Sequence, residues 1–281
     1  MVAAYEIRME PETIHVASEF DHATTTMKDL LAQFEPISLA EMAGVALLDR
    51  TDTKYLMGVS QLAHALRQLS AQYWVLEVNG TRLNQYQTLY FDTRDFALYR
   101  QHHNGLRSRY KVRIREYVNS DQAFWEVKRK TNRDRTIKSR RQTQEIKTRI
   151  EGQADEFVDI HTPFHAEELE PKLWNEFLRL TLVSKHRPER LTLDLNLRFG
   201  WGDACAAMPG IAIAEVKQER FSQQSDFIQQ MRHLGIRPHR FSKYCAGIYM
   251  LYDNVKINNF KSRMRLVDKL MQKEAAHGYG H

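Results

Sequence analysis

From Arg107 to Arg115 every second residue is a cation: Arg107, Arg109, Lys111, Arg113 and Arg115, with Tyr110, Val112 and Ile114 in the alternate places. A period of two is the strand period, so the cations share one face and the apolar residues the other. A turn-like Asn119-Ser120-Asp121-Gln122 follows, and the alternation resumes. Glu126, Lys128 and Lys130 then share a face, with Trp125 and Val127 behind them. The pair reads as a hairpin. Like charges side by side on paired strands repel, so this face either meets solvent or turns toward something anionic.

The same periodicity recurs along the chain. Residues 48–57 predict a first strand with Arg50, Asp52 and Lys54 on one face, and Ser60 an N-cap for a helix reaching about Leu69. Strands are expected at 73–78 and 84–92 around the Asn79-Gly80 turn, and a short helix within Asp92–His103 that stops at Asn104-Gly105. The basic run 131–138 reads as a solvated loop from which Lys138 points inward. Residues 140–183 read as mostly helical, with Pro171 near a helix start and Leu173, Phe177 and Leu180 as a core face. In the next stretch Arg190, Thr192, Asp194, Asn196 and Arg198 alternate with Leu191, Leu193, Leu195, Leu197 and Phe199. Glu215 and Lys217 share a strand face with Ile211 and Ile213. Helices are expected at 25–34 (Met27, Leu30, Leu31, Phe34), at 223–234 and after Ser242, with a basic amphipathic helical segment at the C-terminus.

Composition changes the picture little. Of 281 residues, 42% are hydrophobic and 27% charged, ordinary for a globular chain that buries a sizeable core. A net charge of +6 favours an acidic partner. Two cysteines form no framework and no metal-ligand spacing, and no apolar run reaches the roughly 18 residues of a membrane span. A reducing cytoplasm is the expected setting. The division expected is an N-terminal extension (1–40), one domain (41–254) and a basic C-terminal helical segment (255–281), and nothing in the pattern fixes an oligomeric state.

Cations from five strands collect on one set of faces: Arg50, Lys54, Arg107, Arg109, Lys111, Arg113, Arg115, Lys128, Lys130, Arg190, Arg198 and Lys217, with Asp52, Glu126, Asp194 and Glu215 as the acids among them. The fold class expected is α+β, with a closed antiparallel β-barrel, polar inside, surrounded by helices. Its bore would suit a polyanion, since guanidinium groups fork onto phosphate. The few acids would offer hard oxygen ligands to Mg²⁺ or Mn²⁺. For any single acid an ion pair with a neighbouring cation is the commoner case. Ser242 reads as an ordinary N-cap or as a phosphate contact at a helix N-terminus. His102 and His103 are expected on the surface, and Cys245 in the core. Nucleic acid is disfavoured, because Tyr110 and Trp125 fall on the apolar faces rather than on the basic one.

The ordered set Lys54-Tyr55, Tyr90-Phe91-Asp92-Thr93, Arg113-x-Arg115, Glu126-x-Lys128, Lys138, Arg190 to Asp194, Arg198, Glu215-x-Lys217 and Phe241-Ser242-Lys243 resembles the VTC domain. That is the catalytic domain of the vacuolar transporter chaperone polyphosphate polymerases, in the triphosphate tunnel metalloenzyme (CYTH-like) superfamily, and the resemblance spans roughly residues 45–252. It implies a metal-dependent phosphotransferase that moves the terminal phosphate of ATP onto a polyphosphate chain inside a tunnel. On matching positions it implies Lys54, Arg113, Arg115, Lys128, Lys138, Arg190, Arg198, Lys217 and Lys243 as phosphate-binding residues, with Lys54, Arg113, Arg115, Lys128, Arg190 and Arg198 expected to carry the transfer, and Ser242 as a serine contact. Arg240 stands where the pattern has a lysine before Phe-Ser-Lys, and it and Lys111 of the alternating face are expected to bind phosphate as well. Glu215 matches the Mn²⁺-holding acid, with Glu126 and Asp194 as further acids of the pattern. Arg50-Thr51-Asp52-Thr53-Lys54 stands where hydrolytic relatives carry Glu-x-Glu-x-Lys, which makes an inorganic or nucleoside triphosphatase the lesser alternative; a protein that only binds polyphosphate is a further one, since a tunnel can lose its chemistry and keep its cations.

Overall fold

The computed structural model describes residues 25–43, 51–133, 135–144 and 146–278. Arg50 and the start of its expected strand, with most of the N-terminal extension, lie outside them. The strands are β1 Glu35–Ile37, β2 Thr51–Gly58, β3 Tyr73–Leu76, β4 Asn84–Thr93, β5 Arg109–Tyr117, β6 Gln122–Lys130, β7 Thr136–Thr143, β8 Leu169–Ser184, β9 Glu189–Trp201, β10 Ala204–Met208 and β11 Ile211–Gln218. The helices are α1 (25–31), α2 Leu39–Ala43, α3 Val59–Arg67, α4 Ala97–His103, α5 Gln153–His161, α6 Asp226–His233, α7 Lys243–Leu251 and α8 Lys261–Gly278.

One mixed α+β architecture results. Its main sheet runs β2-β11-β9-β8-β4-β5-β6-β7 with antiparallel neighbours throughout. Among the described residues no ladder joins β2 to β7, so the expected closed barrel is not formed. The two ends of the path nevertheless face one cavity, which Lys54 of β2 and Thr136 of β7 both line. The other face of the sheet is apolar and covered in two places. Beneath α1, α3 and α6 lie Leu191, Leu193, Leu195, Ala214 and Val216; beneath α5 lie Val112, Ile114, Trp125 and Val127.

The region expected to be helical between 169 and 183 is the long central strand β8. Leu173 and Phe177, four apart, share a face in a helix and in a strand alike, so spacing alone did not separate the two. Leu180 decides it: it packs in the opposite apolar layer from Phe177, as a period of two requires. Pro171 sits where the ladder to β4 is irregular, a place where a missing N–H is tolerated. The expected basic loop at 131–138 becomes in part the edge strand β7. Ser60 is not the cap of α3; Gly58 takes that place, and Ser60 bonds Glu274 of α8 instead.

β9 carries a break that the alternation hides. Asn196 adopts φ 53°, and the β8–β9 register shifts beside it. An extra residue in one strand turns every later side chain to the other face. Leu195 therefore packs under α6 while Leu197 and Phe199 pack under α7. Arg198 is turned away from Asp194, to the face where Glu176 lies.

α7 lies against β8 and β9 on the cation-bearing side, filling one end of that face with apolar contacts. Gly247 makes the approach possible, because a Cβ there would stand 2.5 Å from Leu173 Cδ2 and 2.7 Å from Phe199 Cδ1. Gly247→Ala gains about 1 kcal/mol of helix propensity but overpacks the contact at about 1–3 kcal/mol. A net loss of stability is expected, read as a lower urea midpoint at unchanged slope; a raised midpoint would show that α7 shifts freely.

Candidate functional site

Three buried or half-buried carboxylates each gather a set of cations on the inner face. Glu126 on β6 accepts from Arg113 Nε at 2.7 Å and Nη2 at 2.6 Å, and it pairs with Lys138 of β7. Arg115 Nη1 stands 3.9 Å from the same oxygen and its Nε donates to Thr88 Oγ1 at 3.1 Å. Asp194 on β9 takes a two-pronged bond from Arg179, Nε to Oδ1 at 2.6 Å and Nη2 to Oδ2 at 2.8 Å, and pairs with Lys243. Glu215 on β11 pairs with Lys54 across the ladder, and its Oε2 lies 3.0 Å from Lys217 Nζ, which also donates to Thr192 Oγ1 at 2.7 Å.

Strand register explains these meetings. Arg113 faces Glu126, Lys111 faces Lys128, Lys54 faces Glu215 and Lys217 faces Arg190 on adjacent strands. The pattern that places cations opposite cations is tolerable only because acids are interleaved. Lys111 reaches across to donate to Ser242 Oγ at 2.9 Å, while that same oxygen caps α7 through Cys245 N at 3.3 Å. Ser242 is therefore both a cap and a polar wall of the cavity.

The electrostatics follow from crowding in a partly dry place. Burial, then Lys111, pushes Lys128 down to about 7. Burial brings Lys138 and Lys243 to about 8, against the opposing pull of Glu126 and Asp194. Lys54 and Lys217 fall well below the usual range, again first through burial and then through neighbouring cations. Burial raises Glu126 and Asp194, but their basic partners outweigh it and hold both carboxyls well below the usual range. The cluster is short of negative charge. An incoming polyanion would supply it.

A cavity of about 1040 Å³ opens onto this face. Lys54, Lys111, Lys128, Lys130, Arg240 and Ser242 line it, and α8 and the turn before it form one wall. His102 and His103, expected on the surface, line it as well. His103 is buried. Nε2–H of His102 donates to the Tyr110 carbonyl at 3.0 Å, and burial followed by Lys111 holds the ring well below its usual pKa. Cys245 is buried as expected.

The structure brings together Lys54, Lys111, Arg113, Arg115, Glu126, Lys128, Lys138, Arg190, Asp194, Glu215, Lys217, Ser242 and Lys243 on the inner face, with Arg240 at the cavity mouth. It places Arg198 on the opposite face for the reason given above. Sequence reading missed Arg179, whose guanidinium also lies 4.9 Å and 5.2 Å from the Tyr86 and Phe177 rings. Tyr90, part of the motif set above but given no role there, accepts from Arg113 Nη1 at 3.2 Å. The available signal was the alternation Leu173, Asn175, Phe177, Arg179 and Thr181, obscured by the helical reading.

A divalent ion needs oxygen donors. Among the described residues no three His, Cys, Asp or Glu side chains gather to hold one. Glu126 and Asp194 are enclosed by their basic partners, whereas the Glu215 side chain keeps 17% of its surface exposed. One hard carboxylate beside a phosphate-attracting cluster fits an ion that arrives with phosphate oxygens, and does not fit one bound by protein alone.

Comparison with known proteins agrees with this chemistry in one respect. No curated protein matches the chain. Solved structures that resemble it include one from Vibrio parahaemolyticus provisionally named an adenylate cyclase (TM-score 0.41, 15% identity, 70% of this chain and 97% of that one). A Bacillus halodurans protein with the same provisional name gives 0.43 and 13%, covering 75% and 97%. A conserved hypothetical protein of Pyrococcus furiosus gives 0.41 and 10%, covering 70% and 99%. At these scores the likeness is loose. No helix among the described residues is long and apolar enough to cross a membrane. The VTC domain pattern matches residues 49–252, the stretch that carries all three carboxylate clusters, and the chain belongs to the VTC domain family.

Proposed function

We propose that the chain is a phosphotransferase that holds the phosphates of ATP on the inner face and passes the terminal phosphoryl group to a polyphosphate chain. The supporting observation is the set of lysines and arginines lining and backing one cavity, with the lysines pushed toward neutrality first by burial and then by neighbouring cations. Phosphoryl transfer needs alignment and charge neutralisation more than covalent chemistry, and an ionised phosphate acceptor needs no general base. Arg113 and Arg115, fixed by Glu126, and Arg179, fixed by Asp194, present guanidinium groups at set angles for phosphate oxygens. Lys54, Lys128, Lys138, Lys217 and Lys243 neutralise the charge that spreads over the transferred group, with Arg190 beside Lys217. Ser242 adds a hydroxyl at the start of α7. Glu215 is the residue that would hold Mn²⁺ or Mg²⁺ together with phosphate oxygens, and the bound ion supplies Lewis-acid stabilisation of the phosphoryl group. Glu126 and Asp194 serve as positioning residues that keep the arginines in place.

Incubation of the purified chain with ATP and Mn²⁺ tests this reading: long linear phosphate products are expected. Orthophosphate alone would instead favour the triphosphatase, and tight binding without turnover the binding protein. Glu215→Gln is expected to lower product formation by about 10²–10³-fold, the range for loss of one main electrostatic contact. Full activity in that variant removes Glu215 from the metal role.

The lowered lysine pKa values set a pH dependence. In the unfolded chain these lysines keep their protons up to about pH 10.4, whereas in the folded chain Lys128, Lys138 and Lys243 release theirs near 7–8. The unfolded state therefore binds more protons, and the ligand-free protein gains stability from pH 7 to 9. Phosphate reverses the preference by favouring the charged lysines. Tripolyphosphate binding is expected to take up protons at pH 8 and to weaken toward pH 9, as calorimetry in buffers of different ionisation enthalpy would show. Affinity independent of pH across that window would mean the lysines are already fully charged.

A further inference from the structure

The inner cations are balanced by acids or pushed toward neutrality. The solvent-facing side of the cavity is different. Arg107 precedes β5, Arg240 precedes α7, and Arg263 lies on α8; all three line the cavity, Arg107 and Arg240 exposed and Arg263 half-buried. None of them has an acid partner among the described residues. Each carries a flat guanidinium fork that suits phosphate oxygens, where the inner face offers mainly lysines and acid-anchored arginines.

α8 is not a loose appendage at this place. Its far end carries Glu274, whose carboxylate accepts from Ser60 N at 2.9 Å and Ser60 Oγ at 2.6 Å. Gly210 makes room for it, since a Cβ there would stand 2.8 Å from Glu274 Cβ. At the near end, Asn259 Nδ2 donates to the His103 carbonyl at 2.8 Å and Tyr99 Oη donates to the Lys256 carbonyl at 2.8 Å. Phe260 packs edge-on against His103 at 5.4 Å, and the Arg263 guanidinium sits 5.4 Å above the Phe260 ring. Both ends of the wall are anchored, and Arg263 is seated on a fixed ring. α8 also lies beyond residue 252, where the family pattern ends. The cavity thus has a wall supplied by a part of the chain that the family match does not cover.

We propose that Arg263 of α8 forms, with Arg107 and Arg240, an outer anion subsite for the units of a linear phosphate chain that extend past the inner face. The proposal rests on the phosphate-handling reading above and deepens it. A cavity of about 1040 Å³ stands at the upper end of the range for small-molecule sites, more space than three phosphates fill. Its inner part is served by lysines and acid-anchored arginines, which leaves the unbalanced arginines to meet whatever follows them along the same ligand. The subsite would make affinity depend on chain length, with α8 as the element that sets it.

Three probes decide the matter: tripolyphosphate, a long linear polyphosphate and ATP, titrated into the full chain and into Arg263→Ala, Arg263→Lys and Lys269→Ala. Lys269 is an exposed α8 cation outside the cavity. Arg263→Ala is expected to cut the preference for the long chain over tripolyphosphate by about tenfold, the scale of one hydrogen bond to a charged group. Arg263→Lys restores part of it, and Lys269→Ala leaves it in place. The logarithmic salt slope for the long chain falls by about one in Arg263→Ala. Equal losses in Arg263→Ala and Lys269→Ala would overturn the subsite in favour of diffuse attraction. An Arg263→Ala loss confined to ATP would overturn it in favour of a nucleoside at the mouth. Binding of tripolyphosphate with no change in the ratio defeats the subsite alone, whereas no binding of any probe by the unaltered chain defeats the phosphate reading beneath it.

Discussion

Everything on the inner face answers to one problem: lysines and arginines on adjacent strands repel, and the fold holds them together regardless. Two like charges about 4 Å apart cost about 4 kcal/mol at a near-surface dielectric, and several such approaches would exceed the stability of an ordinary domain. The chain meets this in two ways. Carboxylates at Glu126 and Asp194, both buried, and at the half-buried Glu215 each neutralise a pair or trio of cations. The lysines left over give up part of their charge, as Lys128 shows. A face built in this way is compact when empty and still attracts anions.

Position is set by the surrounding packing rather than by the charges. Asp92, at the end of β4, accepts from the N–H groups of Leu98 and Tyr99 at 2.8 Å each and from the Tyr244 hydroxyl. One carboxylate thereby fixes the start of α4, the first turn of α7 and the end of β4 relative to one another. Lys243 and Ser242 take their places from that junction, and Tyr90 stacks on Tyr244 with centroids 5.0 Å apart while bonding Arg113. The apolar half of the inner face is thus continuous with the polar half. A repacking under α7 would be felt by the cations next to it.

How much of this could be read in the sequence varies with the local pattern. The hairpin of β5 and β6 was legible because alternation there is unbroken and each strand has one wet and one dry face. β8 was not, because Leu173 and Phe177 satisfy both periods and its two faces are both largely buried, so no polar stripe marked it as a strand. Arg179 was lost with it. β9 misled in the opposite way: its alternation is perfect on paper, and only the backbone at Asn196 reveals that Arg198 belongs to the other side. Closure of the sheet is a property of long-range pairing, which no stretch of sequence displays. The single acids Glu126 and Asp194 fit a metal ligand or an ion-pair partner equally well until register showed which cations stand beside them.

Among the described residues no strand ladder forms on the outer side of β7, the kind of edge that in other proteins invites a second copy to dock and begin a fibre. Here the strand reads Thr136-Ile137-Lys138-Ser139-Arg140-Arg141-Gln142-Thr143. Apposing two such edges would bring lysine and arginine against their own counterparts, so the surplus of positive charge on this strand also works against self-templating.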